Sequence, residues 1–214
     1  MYVSERMTRY PVTVMPNYSV SKAYQIMTEG HYSQLPVVDS DNKLIGLVTE
    51  KLLAEVNPSS ATSLSVYEIN YLLSKTKVQD IMKTGIFKIN KDALIEDAAI
   101  IMKENRISSL PVVEGDNYLA GIITRTDIFK AFIDIMGVKA TGTRIAITTE
   151  DKVGVLADIT SILAQHNINI RNITDISENG KSEITIKVRS LDATAAVEDI
   201  KAKGYNVTSV ITVH

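Results

Sequence analysis

The sequence has no cysteine and only three histidines, and these absences exclude several kinds of chemistry. Without cysteine there is no disulfide, no thiolate metal site and no cysteine nucleophile. The histidines, His31, His166 and His214, form no pair at the spacing of a zinc site, so no bound metal is expected. The composition is compatible with a reducing cytoplasm, where we expect the protein to work.

Long apolar runs and a strong charge of one sign are missing as well. No segment approaches the ~18 uninterrupted apolar residues of a membrane span, and residues 1–5 lack the start of a signal peptide. A formal net charge of −2 creates no general attraction for nucleic acid or membrane. The glycine loop of Walker-type ATPases, the Gly-x-Ser-x-Gly motif and the dinucleotide fingerprint are also absent. We therefore expect neither an enzyme nor a nucleic-acid or membrane partner.

What the sequence does contain is an internal repeat with an offset of 75 residues. The segment Ser-Gln-Leu-Pro-Val-Val at 33–38 recurs as Ser-Ser-Leu-Pro-Val-Val at 108–113. The same offset maps Met7 onto Met82, Met27 onto Met102, Glu29 onto Glu104, Asn42 onto Asn117, Leu44 onto Leu119, Gly46 onto Gly121 and Thr49 onto Thr124. This series in one register indicates a duplication.

Each copy predicts a β-α-β-β-α unit. Short strands are predicted at 11–14 and 86–89, and Ser19 and Asp92 are predicted to cap the helices that follow. Those helices show apolar residues at i, i+3, i+4 and i+7 from residues 20 and 95. Residues 35–38 and 44–48 predict a hairpin, and last helices are predicted at 50–54 and 126–136, the second ending at Gly137.

The C-terminal part is unrelated to the repeat and predicts β-α-β-β-α-β, a ferredoxin-like order. Strands are predicted at 144–149, from 168, at 183–188 and at 207–213. Asn179 and Gly180 predict a tight turn. A helical stripe begins at Val155, and Asp192 is predicted to cap a second helix that ends before Gly204.

The duplicated unit, with its Leu-Pro-Val-Val and Gly-x-x-Thr signatures, resembles the CBS repeat. Residues 151–157 with 167–170 resemble the ACT signature, with Val153 where that family usually has proline. The resemblance implies an α/β (α+β) fold, a CBS-pair module followed by an ACT domain, an order similar to AcuB-type acetoin-utilisation proteins. Expected boundaries are 1–56 and 78–137 for the repeats and 143–214 for the ACT domain. A linker with a short helix is expected at 57–77, with Tyr67 and Tyr71 in helix packing, and a second linker at 138–142.

The segment 121–127 is the first candidate for ligand binding. Thr124 and Thr126 offer hydroxyls at a helix start, which favours phosphate, and the Asp127 carboxylate can accept both ribose hydroxyls; the alternative is that they only cap a helix. The resemblance implies that Thr124 and Asp127 contact phosphate and ribose. It places the adenine near Thr8, Val12, Tyr32 and Ser33 and the phosphate near Ser108, with Arg125 and Arg106 as nearby cations. For His31 two interpretations stay open: a surface histidine, which we favour, and a residue that faces the cleft.

The first copy lacks part of this motif. It keeps Gly46 and Thr49 but has Leu52 in place of Asp127, and Glu50 would repel phosphate. Leucine cannot bind ribose hydroxyls. We therefore predict one competent nucleotide site and one empty or altered site.

The loop 149–154 with Asn169 is the second candidate. The resemblance implies side-by-side dimers that bind a small effector, commonly an amino acid, between this loop and the partner subunit. Asp151 could bind an ammonium, Asn169 both a carboxylate and an ammonium, and Val153 and Gly154 would shape the loop. The alternative is that these are ordinary turn residues on a surface used only for dimerisation.

The sequence thus predicts a non-catalytic regulator, a homodimer that binds an adenine nucleotide as a regulatory ligand, needs no cofactor and acts on an unknown target protein. Three alternatives remain open at this stage: a cyclic di-AMP sensor, a scaffold without ligand, and an enzyme with undetected nucleotide-hydrolysing activity.

Overall fold

The computed structural model describes residues 1–56 and 73–214. The described chain divides into two compact units, Met1–Phe129 and Lys130–His214. Most of the predicted linker at 57–77, including Tyr67 and Tyr71, lies outside the described residues. Within the described ranges, no helix is both long and apolar enough to cross a membrane.

The first unit contains the two predicted β-α-β-β-α repeats. A short 3₁₀ turn at Val3–Glu5 precedes them. The first repeat comprises β1 (Thr8–Arg9), α1 (Val20–Gly30), β2 (Gln34–Val38), β3 (Leu44–Thr49) and α2 (Glu50–Val56). The second comprises α3 (Val78–Ile81), β4 (Ile89–Asn90), α4 (Ile95–Glu104), β5 (Ser109–Glu114), β6 (Tyr118–Thr124) and α5 (Arg125–Ile135). The first unit ends within α5, at Phe129.

The first predicted strand of each repeat is shorter than expected. Of residues 11–14, only Val14 pairs, in an isolated parallel bridge with Val37. Of residues 86–89, only Ile89 is in a strand, β4, which pairs in parallel with β5. Each segment therefore pairs with the sheet of its own repeat over only one or two residues.

The two helix starts differ as well. Ser19 caps α1, and its hydroxyl oxygen accepts the backbone N–H of Lys22 at 3.2 Å, as predicted. The prediction for Asp92 is wrong: the residue before α4 is Leu94, 75 positions after Ser19. The carboxylate of Asp97 accepts the Leu94 N–H at 3.2 Å, so an acidic side chain inside the first turn replaces the cap.

Each repeat sends its N-terminal segment to the edge of the other repeat's sheet. Strand β1 pairs antiparallel with β6, which gives a four-stranded sheet in the order β1-β6-β5-β4. Lys83 pairs with Leu47 at the edge of the β2–β3 hairpin in the same way. The repeats therefore form one unit by exchange of segments.

Gly121 and Gly46 make this exchange possible. A Cβ at Gly121 would lie 2.7 Å from the Thr8 carbonyl oxygen and 2.6 Å from the Met7 sulfur. A Cβ at Gly46 would lie 2.7 Å from the Met82 sulfur and 3.0 Å from the Lys83 carbonyl oxygen. The recurrence of glycine and methionine at the 75-residue offset thus has one steric cause.

The turns of the β2–β3 and β5–β6 hairpins are joined by reciprocal hydrogen bonds. The N–H of Leu44 donates to the Asn117 carbonyl, and the N–H of Leu119 donates to the Asn42 carbonyl, both at 3.0 Å. Each asparagine also donates its side-chain amide to the other hairpin, Asn42 to Leu119 and Asn117 to Leu44. A small shared core joins them, formed by Val38, Leu44, Val113 and Leu119.

The second unit has the predicted ferredoxin-like order. It comprises β7 (Gly142–Glu150), α6 (Val155–Gln165), β8 (Ile170–Glu178), β9 (Lys181–Val188), α7 (Thr194–Ala202) and β10 (Asn206–Val213), with sheet order β10-β7-β9-β8. Asn179 and Gly180 form the predicted turn, with φ of 53° and 74°. Helix α7 begins one residue later than predicted, after Ala193, although the Asp192 carboxylate still accepts the Thr194 N–H at 2.9 Å.

Candidate functional site: a cavity between the two repeats

A cavity of about 450 Å³ lies in the first unit and is shared by the two repeats. This volume is within the usual range for small-molecule sites. Three segments build it: the exchanged N-terminal segment, the connection from α1 to β2, and the β5–β6 hairpin with the start of α5. The residues that line it are Thr8, Tyr10, Pro11, Val12, His31, Tyr32, Ser33, Gln34, Pro36, Ser108, Ser109, Ile122, Thr124, Arg125 and Thr126.

Eight of the nine residues predicted for nucleotide binding line this one cavity. The first repeat contributes Thr8, Val12, Tyr32 and Ser33, and the second contributes Ser108, Thr124, Arg125 and Thr126. They are brought together because β1 belongs to the second repeat's sheet, which places the start of the chain beside the end of β6. Segment exchange therefore assembles the candidate site.

Asp127 is the ninth predicted residue, and it does not line the cavity. Its Oδ2 accepts the backbone N–H of Thr124 at 2.9 Å and the Thr124 hydroxyl at 2.7 Å. The Thr124 hydroxyl oxygen in turn lies 3.3 Å from the Asp127 N–H, which completes a reciprocal cap at the start of α5. Oδ1 takes no part in this cap, and the ribose role of Asp127 stays a prediction.

Arg125 brings a positive charge to the cavity at the start of α5, a helix of eleven residues. The first backbone N–H groups of this helix are partly used, because that of Arg125 donates to the Ser108 carbonyl at 2.9 Å and that of Asp127 donates to the Thr124 hydroxyl. The Arg125 Nε donates to the Ile107 carbonyl at 3.0 Å, which fixes the guanidinium beside this helix start. Among the residues of the described ranges that line the cavity, Arg125 alone has a permanent charge.

Two buried polar atoms in the cavity wall have no hydrogen-bond partner among the described residues. They are Nε2 of Gln34 and Oγ of Ser109, which stand 75 positions apart at the first residue of β2 and of β5. A buried polar group without a partner costs free energy. Because both atoms are fully buried, a ligand could bond them only if the wall shifted. The sequence signal was a polar residue at the start of an otherwise apolar strand in both copies.

Sequence reasoning also missed other residues of the wall. Tyr10, Pro11, Pro36 and Ile122 line the cavity. His31 lines it as well, in agreement with the less favoured of its two interpretations. His31 follows α1 in the left-handed conformation, with φ of 53°, and its counterpart Arg106 has the same φ. The two residues therefore share a left-handed turn in the connection that follows the first long helix of each repeat.

The corresponding positions of the first repeat have different chemistry. The Thr49 hydroxyl accepts the Leu52 N–H at 3.3 Å, but Leu52 has no carboxylate to return a bond. Glu50 occupies the position that corresponds to Arg125, so a negative charge stands at the start of α2. Leu52 and Glu50 are thus the physical basis for an altered second site, which stays a prediction.

The four residues predicted for effector binding in the C-terminal unit do not form one site within a single chain. Asp151, Val153 and Gly154 lie in the exposed loop after β7, and Gly154 precedes α6 with a φ of 97°. Glu150 pairs with Lys181 at the start of β9, whereas Ile170, next to Asn169, pairs with Val188 at its end. Eight residues of strand separate these ends by ~24 Å.

The charge in that loop is partly compensated. The Lys152 ammonium contacts the Glu150 carboxylate, and this hydrogen bond and charge hold the pKa of Glu150 below its usual value. The two sequence neighbours of Asp151, Glu150 and Lys152, therefore form an ion pair with each other. If Asp151 and Asn169 bind one effector, the second residue must come from another copy of the chain.

Comparison with known proteins agrees with both units. The CBS domain family model matches residues 3–57 and 78–134, and the ACT domain model matches residues 143–205. Among curated proteins, the chain is 33% identical over 120 residues to inosine-5'-monophosphate dehydrogenase of Methanocaldococcus jannaschii. It is 34% identical over 139 residues to the chloroplastic protein CBSX1 of Arabidopsis thaliana. These matches cover 56% and 57% of this chain but only 21% and 59% of the two relatives.

Three solved structures are similar to the first part of the chain. AcuB from Vibrio cholerae is 27% identical, with a TM-score of 0.54 over 65% of this chain and 95% of that one. CBSX2 in complex with AMP is 30% identical, with a TM-score of 0.53 over 63% and 98%. The CBS pair of protein MJ0100, in complex with 5'-methylthioadenosine and S-adenosylmethionine, is 26% identical, with a TM-score of 0.51 over 62% and 95%. The chain belongs to the CBS domain family, as a tandem CBS pair followed by a C-terminal ACT domain.

Proposed function

We propose that this protein is a non-catalytic sensor that binds an adenine nucleotide in the cavity between its CBS repeats. The observation that carries the proposal is the cavity wall itself. It brings together eight of the nine residues predicted from the sequence to bind a nucleotide. Similar CBS pairs bind AMP, or 5'-methylthioadenosine and S-adenosylmethionine, which supports an adenosine-containing ligand.

The wall chemistry suggests an orientation for the ligand. The Thr126 hydroxyl and the Arg125 guanidinium would bind phosphate. The Thr124 hydroxyl would join them by turning its proton from Asp127 Oδ2 to the phosphate. The apolar side chains of Val12 and Ile122 would face the base. Asp127 would keep its cap through Oδ2 and accept a ribose hydroxyl through Oδ1.

The charge of the wall favours a ligand with few negative charges. Arg125 is the permanent cation of the wall, and one phosphate monoester already carries about −1.5 to −2 at neutral pH. A triphosphate would bring further charge without a further cation to meet it. We therefore expect AMP to bind more tightly than ATP.

The wider regulatory role extends this proposal. The protein would act as a homodimer in the cytoplasm, where nucleotide levels vary, and it would signal to a target protein. An amino-acid effector would bind between ACT domains of two copies, because one copy holds Asp151 and Asn169 at opposite ends of β9. A role in acetoin utilisation is suggested by the similarity to AcuB.

The direct test is calorimetric titration of AMP, ADP, ATP, S-adenosylmethionine, 5'-methylthioadenosine and cyclic di-AMP. Thr124→Ala should weaken AMP binding at least tenfold, because it removes a hydroxyl from the wall. Thr49→Ala is the matched control: it removes the same helix-start hydroxyl from the first repeat, outside the cavity, and should leave AMP affinity unchanged.

Asp127 is tested by two substitutions. Asp127→Asn keeps an oxygen that can cap α5, whereas Asp127→Ala removes the cap and should cost about 1 kcal/mol of stability. A ribose role predicts weaker AMP binding in both variants, even though Asp127→Asn stays stable. Absence of any nucleotide binding by the unaltered protein would refute the sensor and favour a scaffold, while steady turnover of a bound nucleotide would favour an enzyme.

A further inference from the structure

Tyr10 has a backbone conformation that its side chain disfavours. Its φ is +52°, in the left-handed region that few residues other than glycine and asparagine adopt. The side chain is 93% exposed and forms no hydrogen bond with the described residues. Neither packing nor a hydrogen bond of the side chain offsets this strain.

The other repeat shows that the strain is avoidable. The residue 75 positions later is Gly85, which has a φ of +64° and no atom within 4 Å of where a Cβ would lie. Both segments need this left-handed residue because each leaves the other repeat's sheet and returns to its own. Glycine meets the requirement without strain at position 85, whereas position 10 keeps an aromatic ring.

That ring stands at the cavity between the repeats. Tyr10 lines it together with Tyr32, and the two tyrosines differ in how they are held. A Cβ at Gly30 would lie 2.0 Å from the Tyr32 ring, so Tyr32 packs closely against the Gly30 backbone. Tyr32 is thus a fixed aromatic wall, and Tyr10 is an exposed ring at the mouth.

We propose that Tyr10 is a specificity-determining residue that closes over the bound ligand and stacks its ring on the purine base. This proposal rests on the function proposed above, because it needs a ligand with a planar base in the cavity. Aromatic side chains stack on bases through their π-faces. The ring also borders a second hollow, which is lined by more polar than apolar surface and contains the Lys91–Glu114 ion pair.

Substitutions at residue 10 separate aromatic stacking from bulk and from backbone strain. Tyr10→Phe should keep the AMP affinity of the unaltered protein, and Tyr10→Leu should bind AMP about five- to a hundredfold more weakly, since it keeps apolar bulk without a π-face. Tyr10→Gly copies Gly85. It should weaken AMP binding as much as Tyr10→Leu while raising the melting temperature of the ligand-free protein, because it relieves the strained φ.

A fluorescent variant reports the closure directly. The sequence contains no tryptophan, so Tyr10→Trp introduces a single indole at the mouth of the cavity. Saturation with AMP should quench its emission and shift it to shorter wavelength, as the indole leaves water and stacks on adenine.

The outcomes distinguish the stacking role of Tyr10 from the proposed nucleotide-sensor function on which it rests. If calorimetry shows AMP binding but Tyr10→Gly binds it as tightly as the unaltered protein, the stacking role is wrong and the sensor stands. Unchanged emission from Tyr10→Trp at saturating AMP would likewise overturn the stacking role alone. If the unaltered protein binds none of the nucleotides, both proposals are overturned.

Discussion

Gly121→Ala tests the link between segment exchange and the candidate site. The new methyl group would lie 2.7 Å from the Thr8 carbonyl oxygen and 2.6 Å from the Met7 sulfur. Methionine can move aside, but Thr8 is held in β1 by its pairing with Ile122. Overpacking of this kind costs about 1–3 kcal/mol, and the lower entropy of the unfolded alanine chain returns about 0.4–1 kcal/mol.

We therefore expect Gly121→Ala to lose about 1–2 kcal/mol of unfolding free energy in urea titration. Gly46→Ala is the matched comparison, because its nearest backbone contact is a looser 3.0 Å and its closest atom is the flexible Met82 sulfur. It should lose less. Since Thr8 lines the cavity, Gly121→Ala should also weaken AMP binding, and Gly46→Ala should not. A Gly121→Ala protein at least as stable as the unaltered one would refute the steric argument.

Two further predictions concern stability. The Lys203 ammonium and then the Tyr205 hydroxyl hold the pKa of the Asp158 carboxyl below its usual value of 3.8. A lowered folded-state pKa stabilises the fold above the unfolded value, and this contribution is lost as pH falls. The melting-temperature difference between the unaltered protein and Asp158→Asn should thus shrink from about pH 5 to pH 3, and a difference independent of pH would contradict this. Asn42→Gly should lose about 1 kcal/mol of unfolding free energy in urea titration, because the hydrogen bond from the Asn42 side-chain amide to the Leu119 carbonyl is lost. Asn42→Ala should lose about 1 kcal/mol more, since alanine disfavours the φ of 63°; equal losses would argue against the backbone effect.

Periodicity and turn chemistry predicted most of the secondary structure. The duplicated hairpins, the Ser19 cap and the Asn179-Gly180 turn depend on interactions within a few residues, so they can be read from local sequence. The Asp92 prediction failed because two local signals competed: a possible cap at residue 92 and an acidic residue, Asp97, that serves the first turn of α4 from inside. The local sequence contained both signals but did not show which of the two residues would bond the first N–H groups of α4.

The sequence by itself determined the duplication, the two domain types and the residue types around the candidate site. The duplication follows from spacing along the chain, whereas the domain types and most residues of the site follow from the resemblance to the CBS and ACT families. Only the tertiary structure decided that β1 joins the sheet of the second repeat, which places Tyr10 and His31 on the wall and leaves Gln34 and Ser109 with unpartnered atoms there. It also showed that Asp127 caps α5 instead of lining the cavity. The reason is that contacts between segments far apart in the chain depend on how the sheets pair, and no local pattern encodes that pairing.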